Sequence, residues 1–209
     1  MPDHREWLTM WNGLGVDAPD ERLYEELLAR YSSPERHYHT LRHLDECFAR
    51  LAESRRLAEQ PHEIELALWF HDAVYDVRRQ DNEVQSAAWA EEISLGSGLT
   101  QRVATRIRDL IVATKHDALP SSTDSRLLVD IDLAILGAPG ERFDEYERQV
   151  RQEYAWVPDA LFRGKRREIL EAFLARPHIF GTDYFRSKYE ARARINLERS
   201  IASLVAPQT

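Results

Sequence analysis

The 209-residue chain has a single cysteine, Cys47, only two methionines and no excess of basic residues. One cysteine excludes an intrachain disulfide framework, and its spacing supplies no zinc–thiolate motif; such thiol usage fits a reducing, intracellular setting. With 28 Lys and Arg against 36 Asp and Glu, the formal charge is −8. A surface that tracks phosphate backbones needs basic excess, so nucleic acid is not expected as a partner. No apolar run reaches the length of a membrane span, and "MPDHREWLTMWNGLG" lacks the apolar core of a signal peptide. A cytoplasmic protein with no membrane partner is the expectation. Alternating apolar and polar runs of strand type are also missing.

What is present is helical spacing. Leu44, Cys47, Phe48 and Leu51 follow the i, i+3, i+4, i+7 template, and Val103, Ile107, Leu110 and Ile111 follow it more loosely. Phe143, Tyr146, Val150 and Tyr154 repeat the pattern, as do Phe185, Tyr189, Leu197 and Ile201. Between these segments lie "SSPE", with Ser33 as N-cap and Pro34 as first helical residue, then "LGSGLT", "DALPSSTD", "GAPGE" and "ARPH". The pattern predicts an all-α single domain over 1–209, a bundle of about eight or nine helices. Residues 31–136 would form its core and 137–209 C-terminal helices packing on it.

Some ionisable residues fall on apolar faces. In "ELALWFHDAVYD", a run with helical character, His71 lies at about 100° per residue among Ile64, Ala67, Leu68, Val74 and Tyr75, with Asp72 at the flank. In "HYHTLRHLDECF", His39 and His43 are four apart and would share one helix face. In "SRLLVDIDLAILG", Asp132 is centred among Leu128, Val129, Ile135 and Leu136, while Asp130 points nearly the opposite way. Buried imidazoles and carboxylates are costly unless hydrogen-bonded, paired or bound to a cation. A core histidine satisfied by a neighbour is the bland alternative for each one singly; several segments together favour a metal.

The order His43, His71-Asp72, Asp132 resembles the H…HD…D signature of the HD-domain superfamily of metal-dependent phosphohydrolases. "YHTLRH" is similar to a stretch of the cyclic-nucleotide phosphodiesterases, with Thr40 in place of their Asn. The resemblance implies an HD-like fold with His43, His71, Asp72 and Asp132 as metal ligands and His39 as proton donor. Two imidazoles and two carboxylates suit Mn, Fe, Co, Ni or Zn, with Mg also possible, better than Ca. It further implies a small phosphorylated, nucleotide-like substrate and hydrolysis of a phosphate ester or anhydride. The alternative is a non-catalytic, metal-stabilised module that binds a nucleotide or a protein. Weaker candidates are Glu83, to orient the attacking water or favour a helix start, and Asn82, Lys115 and His116 at the substrate or behind the ligands. The run "RGKRRE" could meet phosphate or form a solvated face.

Overall fold

The computed structural model describes residues 3–205, and they divide into two units, Met1–Ile131 and Asp132–Thr209. Among the described residues all regular structure is helical, so the all-α expectation holds.

The first unit carries α1 (His4–Gly13), α2 (Glu21–Tyr31), α3 (Leu41–Ser54), α4 (Pro61–Phe70), α5 (Asn82–Gly96), α6 (Gln101–Ala113) and α7 (Thr123–Asp132), whose last residue falls across the division. Asp3 and Asp20 cap α1 and α2 by accepting the N–H of Arg5 and Arg22, each at 2.9 Å. Pro61 opens α4, where a missing N–H costs nothing. The Asp124 carboxylate on α7 accepts the N–H groups of Glu59 and Gln60 just before it, at 2.7 and 2.9 Å.

Helix α4 is the centre of this unit and packs against α1, α3, α5 and α6. Seven of its ten residues are buried, including Glu63. A helix apolar nearly all round belongs inside a core. The one buried carboxylate of α4 is tolerated because the Arg106 guanidinium grips Glu63 with two nitrogens, one contact being Nε–Oε2 at 2.7 Å. Trp69 meets Trp7, Tyr24 and Phe48 at ring-centroid distances of 5.1, 5.6 and 5.4 Å. Trp7, Trp11 and Trp69 are core residues, whereas Trp156 is half exposed.

Ser33 and Pro34 do not start a helix. They belong to a turn closed by Arg36 N–H donating to the Ser33 carbonyl at 3.1 Å, and helix resumes only at Leu41. Thr40 is extended (φ −113°, ψ 179°), so the chain enters α3 abruptly.

The second unit carries a 3-10 turn (Leu133–Gly137), α8 (Gly140–Glu153), α9 (Asp159–Leu174), the single turn α10 (Asp183–Phe185), a π-helical turn (Arg186–Glu190) and α11 (Ala191–Val205). Asn196 on α11 donates to the carbonyls of Leu136 and Ala138, both at 2.9 Å. Gly137 must be glycine, since a Cβ there would stand 2.7 Å from Cβ of Tyr189. The run "RGKRRE" is not one solvated face. Arg166 is buried against Glu147 and Tyr146, whereas Lys165 pairs with Glu168 on the surface.

Candidate metal centre

His43 is in the first turn of α3, and both it and His71 are buried. The Nε2 atoms of His43 and His71 lie 3.1 Å apart. Asp72 Oδ2 lies 3.1 Å from Nε2 of His71 and 3.6 Å from Nε2 of His43. The circle through these three atoms has a radius of about 1.9 Å, just inside the roughly 2.0–2.1 Å at which nitrogen and oxygen donors bind zinc or magnesium. A second grouping overlaps the first. His43, Cys47, His71 and Asp132 each present a donor atom, and those atoms all lie within 4.8 Å of one another, so the group can hold a metal ion.

The protonation pattern favours a cation. Nδ1 of His71 is 2.7 Å from the Leu68 carbonyl, which can only accept, so Nδ1 carries the proton. In the neutral ring Nε2 is then a bare lone pair, aimed at a carboxylate oxygen and at a second imidazole. Two acceptors at 3.1 Å repel unless a proton or a metal ion stands between them. Burial works against ionisation of Asp72, but a proton on the facing nitrogen of His71, with the charges of His39 and His43, holds its carboxyl well below the usual range, as a cation in the same place would.

Cys47 was read in the sequence only as part of an apolar stripe, although it follows His43 by one helical turn. Its sulfur is 3.7 Å from Nε2 and 3.8 Å from Nδ1 of His43. Being equally far from both ring nitrogens, it sits off the flank of the imidazole rather than along the Nε2 lone pair.

Several positions differ from the helical expectation. His39 does not share α3 with His43; it lies in the turn before Thr40, yet its ring centroid is still 6.0 Å from that of His43. The extended Thr40 makes this possible by turning the chain back on the helix end. Its imidazole is half-buried, against Tyr75 at 4.3 Å and Tyr38 at 4.9 Å. His71 and Asp72 are also not within a helix, because α4 ends at Phe70 and His71 is its C-cap. Release from the helix lets two adjacent side chains converge on one point. Asp130, expected on the side away from the apolar face, is 1% exposed, whereas Asp132 is half-buried and is the one that joins the donor group. In a helix covered on both sides, an apolar arc no longer marks the only buried face.

The weaker candidates separate into two roles. Glu83, half-buried in the first turn of α5, is pushed above its ordinary value by burial and by Asp72, with His116 and Lys115 opposing. Asp72, His116 and Lys115 thus all act on Glu83. His116 has left-handed backbone (φ 59°) just past α6, uncommon for a residue with a side chain, and Lys115 pairs with Asp117 at 2.7 Å. Asn82 instead braces the loop, its amide donating to the Asp76 carbonyl at 2.9 Å while its oxygen accepts the Asp76 N–H at 3.1 Å.

Arg36 and Tyr31 were missed. Arg36 Nη1 donates to the carbonyls of Asp72 (2.7 Å) and His39 (3.1 Å), and Nη2 donates to that of Ala73 (3.1 Å). The Tyr31 hydroxyl accepts the Asp72 N–H at 3.3 Å and donates to the Trp69 carbonyl at 3.2 Å. Hydrogen bonds from a charged donor contribute about 1.5–3 kcal/mol each. Ser86 completes the bracing by accepting the Val74 N–H at 2.9 Å.

No protein-family model matches the chain, no curated protein matches it, and no solved structure matches it. Among the described residues no helix is long and apolar enough to cross a membrane.

Proposed function

We propose that the chain is a metal-dependent hydrolase of a phosphate ester or anhydride, acting on a small nucleotide-like molecule. The observation that carries this reading is the convergence of ligand-type atoms of His43, His71 and Asp72 at 3.1, 3.1 and 3.6 Å, with Asp132 on α7 completing the resemblance to an HD-type ligand set. A divalent ion held there supplies a Lewis acid for the phosphoryl group and acidifies water.

The chain's own residues cover the remaining needs. His39, half-buried beside the ligands, is placed to protonate the departing oxygen, a role an imidazole N–H can fill. Glu83, held above its ordinary value, accepts a proton from the attacking water more readily than an ordinary surface carboxylate. Lys115 lies close enough to act on Glu83 and offers a cation to a substrate phosphate.

The test is a hydrolysis screen with added manganese or cobalt over nucleotides and an aryl phosphate. Metal-dependent turnover is expected, and His39→Ala should retain the metal while losing about 10²–10⁴ in rate. No turnover from protein shown to hold stoichiometric metal would transfer the assignment to a non-catalytic binding module. Saturable nucleotide binding without product, indifferent to His39→Ala, would then be expected.

A further inference from the structure

Arg36 is only 8% exposed, and each of its hydrogen bonds goes to a main-chain carbonyl. A buried guanidinium is usually balanced by a carboxylate, as Arg166 is by Glu147. Here it is balanced by peptide dipoles from two separate turns, one holding His39 and one following His71. A single nitrogen, Nη1, bridges the His39 and Asp72 carbonyls. The planar fork therefore fixes the distance between the turn that leads into His43 and the turn that bears Asp72.

Asp72 is held from both sides of its own backbone. Its carbonyl accepts from Arg36, and its N–H donates to Tyr31. The two holding residues also touch each other, with the guanidinium 5.0 Å over the Tyr31 ring. The guanidinium also lies 5.2 Å over Tyr75, whose ring meets that of His39 at 4.3 Å, tilted by 30°. One cation thus reaches the Asp72 peptide, the His39 peptide and, through Tyr75, the His39 ring.

This matters because the donor triangle leaves little slack. Catalytic and ligand groups must be held to within about 0.5 Å of their productive geometry. Neither turn has a regular helix to supply that precision: α4 has ended at Phe70 and α3 has not begun until Leu41.

We propose that Arg36, assisted by Tyr31, is the positioning residue of the metal centre. It sets the Asp72 carboxylate against the two imidazoles and places His39 beside them. The proposal rests on the metal reading above, and the two can fail separately.

Cobalt(II) alone is the probe, because its visible absorption reports coordination geometry without any turnover. The variants are Arg36→Lys, which keeps the charge but loses the planar fork, and Tyr31→Phe, which removes only the hydroxyl. Arg36→Lys is expected to retain the helical circular dichroism, bind cobalt about 10–100-fold more weakly and show an altered visible spectrum. Tyr31→Phe should weaken cobalt several-fold in the same direction. Wild-type affinity and spectrum in Arg36→Lys, even with a lowered melting temperature, would reduce Arg36 to a structural residue and overturn the proposal. If Arg36→Lys does not fold, Tyr31→Phe decides, and an unchanged affinity and spectrum there overturns it equally. A wild-type chain that takes up no cobalt would instead sink the metal reading, and this proposal with it.

Discussion

In the second unit, Arg166 is buried with its neutralising partners around it. Its Nη2 donates to the Tyr146 hydroxyl at 2.8 Å, both Nε and Nη2 meet Glu147, and Ser200 donates to the same carboxylate at 2.9 Å. Every charge there has an opposite within the chain. In the first unit, Nε2 of His43, Nε2 of His71 and a carboxylate oxygen of Asp72 face one another, and the proton on His71 Nδ1 points away to Leu68. The guanidinium of Arg36, which braces the same turns, is committed to peptide carbonyls. The contrast separates a polar cluster closed by an internal ion pair from one whose ligand-type atoms converge on a single point. Burial alone does not distinguish them; the convergence of ligand-type atoms does.

The hardest blow to this contrast would come from metal removal. His71→Ala and Asp132→Asn should each strip the ion and abolish turnover, while leaving the metal-free fold nearly as stable as the wild type. Metal present at about 1,000 times its Kd should raise wild-type stability by about 4 kcal/mol, and chelation should take that away. Metal analysis with thermal melts checks both; an indifferent melt after proven chelation would erase the distinction between the clusters.

Arg166→Met should behave oppositely. It should lower stability by about 1–3 kcal/mol, because the half-buried Glu147 loses its charged partner and keeps only Ser200. Metal bound per folded molecule should stay the same. Denaturant unfolding with metal analysis reads both quantities, and adding Glu147→Leu should recover much of the loss. A metal-poor Arg166→Met protein would show that the closed cluster serves the site after all.

The smallest effect is alkaline. Burial pushes the Tyr146 phenol above its ordinary value of 10.0, with the Arg166 guanidinium pulling back. The folded chain therefore holds this proton to higher pH than the unfolded chain does. Stability is unaffected below pH 10 and falls as pH climbs past it, at no more than about 1.4 kcal/mol per unit of pH for one group. Melts between neutral and alkaline pH should fall less steeply for Tyr146→Phe; parallel curves would show that Tyr146 loses its proton as easily folded as unfolded.

Much of this was legible in the sequence. The 3.6-residue spacing is enough to specify an all-α chain, and the apolar company of His71 marked it as a buried polar residue before any coordinates. Asp132 was separable from Asp130 by its place on the wheel, although the burial of Asp130 was not foreseen, because a wheel describes one helix and not what covers its far side. Periodicity also could not say where helices stop. It carried His39 into α3 and His71-Asp72 into α4, whereas the extended Thr40 and the end of α4 at Phe70 put all three in turns. Arg36 was invisible for a related reason. Its partners are carbonyls, which every residue carries, so no side-chain pattern marks the position.

Cys47 gives the chain a built-in clock. It is the only thiol, it is 2% exposed, and it lies against the ring of His43. A thiol reagent can reach it only when α3 lifts from its neighbours, so the labelling rate counts spontaneous openings of the helix that carries His43. Any ion or substrate that holds that helix shut must slow the same rate, and a site's occupancy becomes readable as the lifetime of one sulfur.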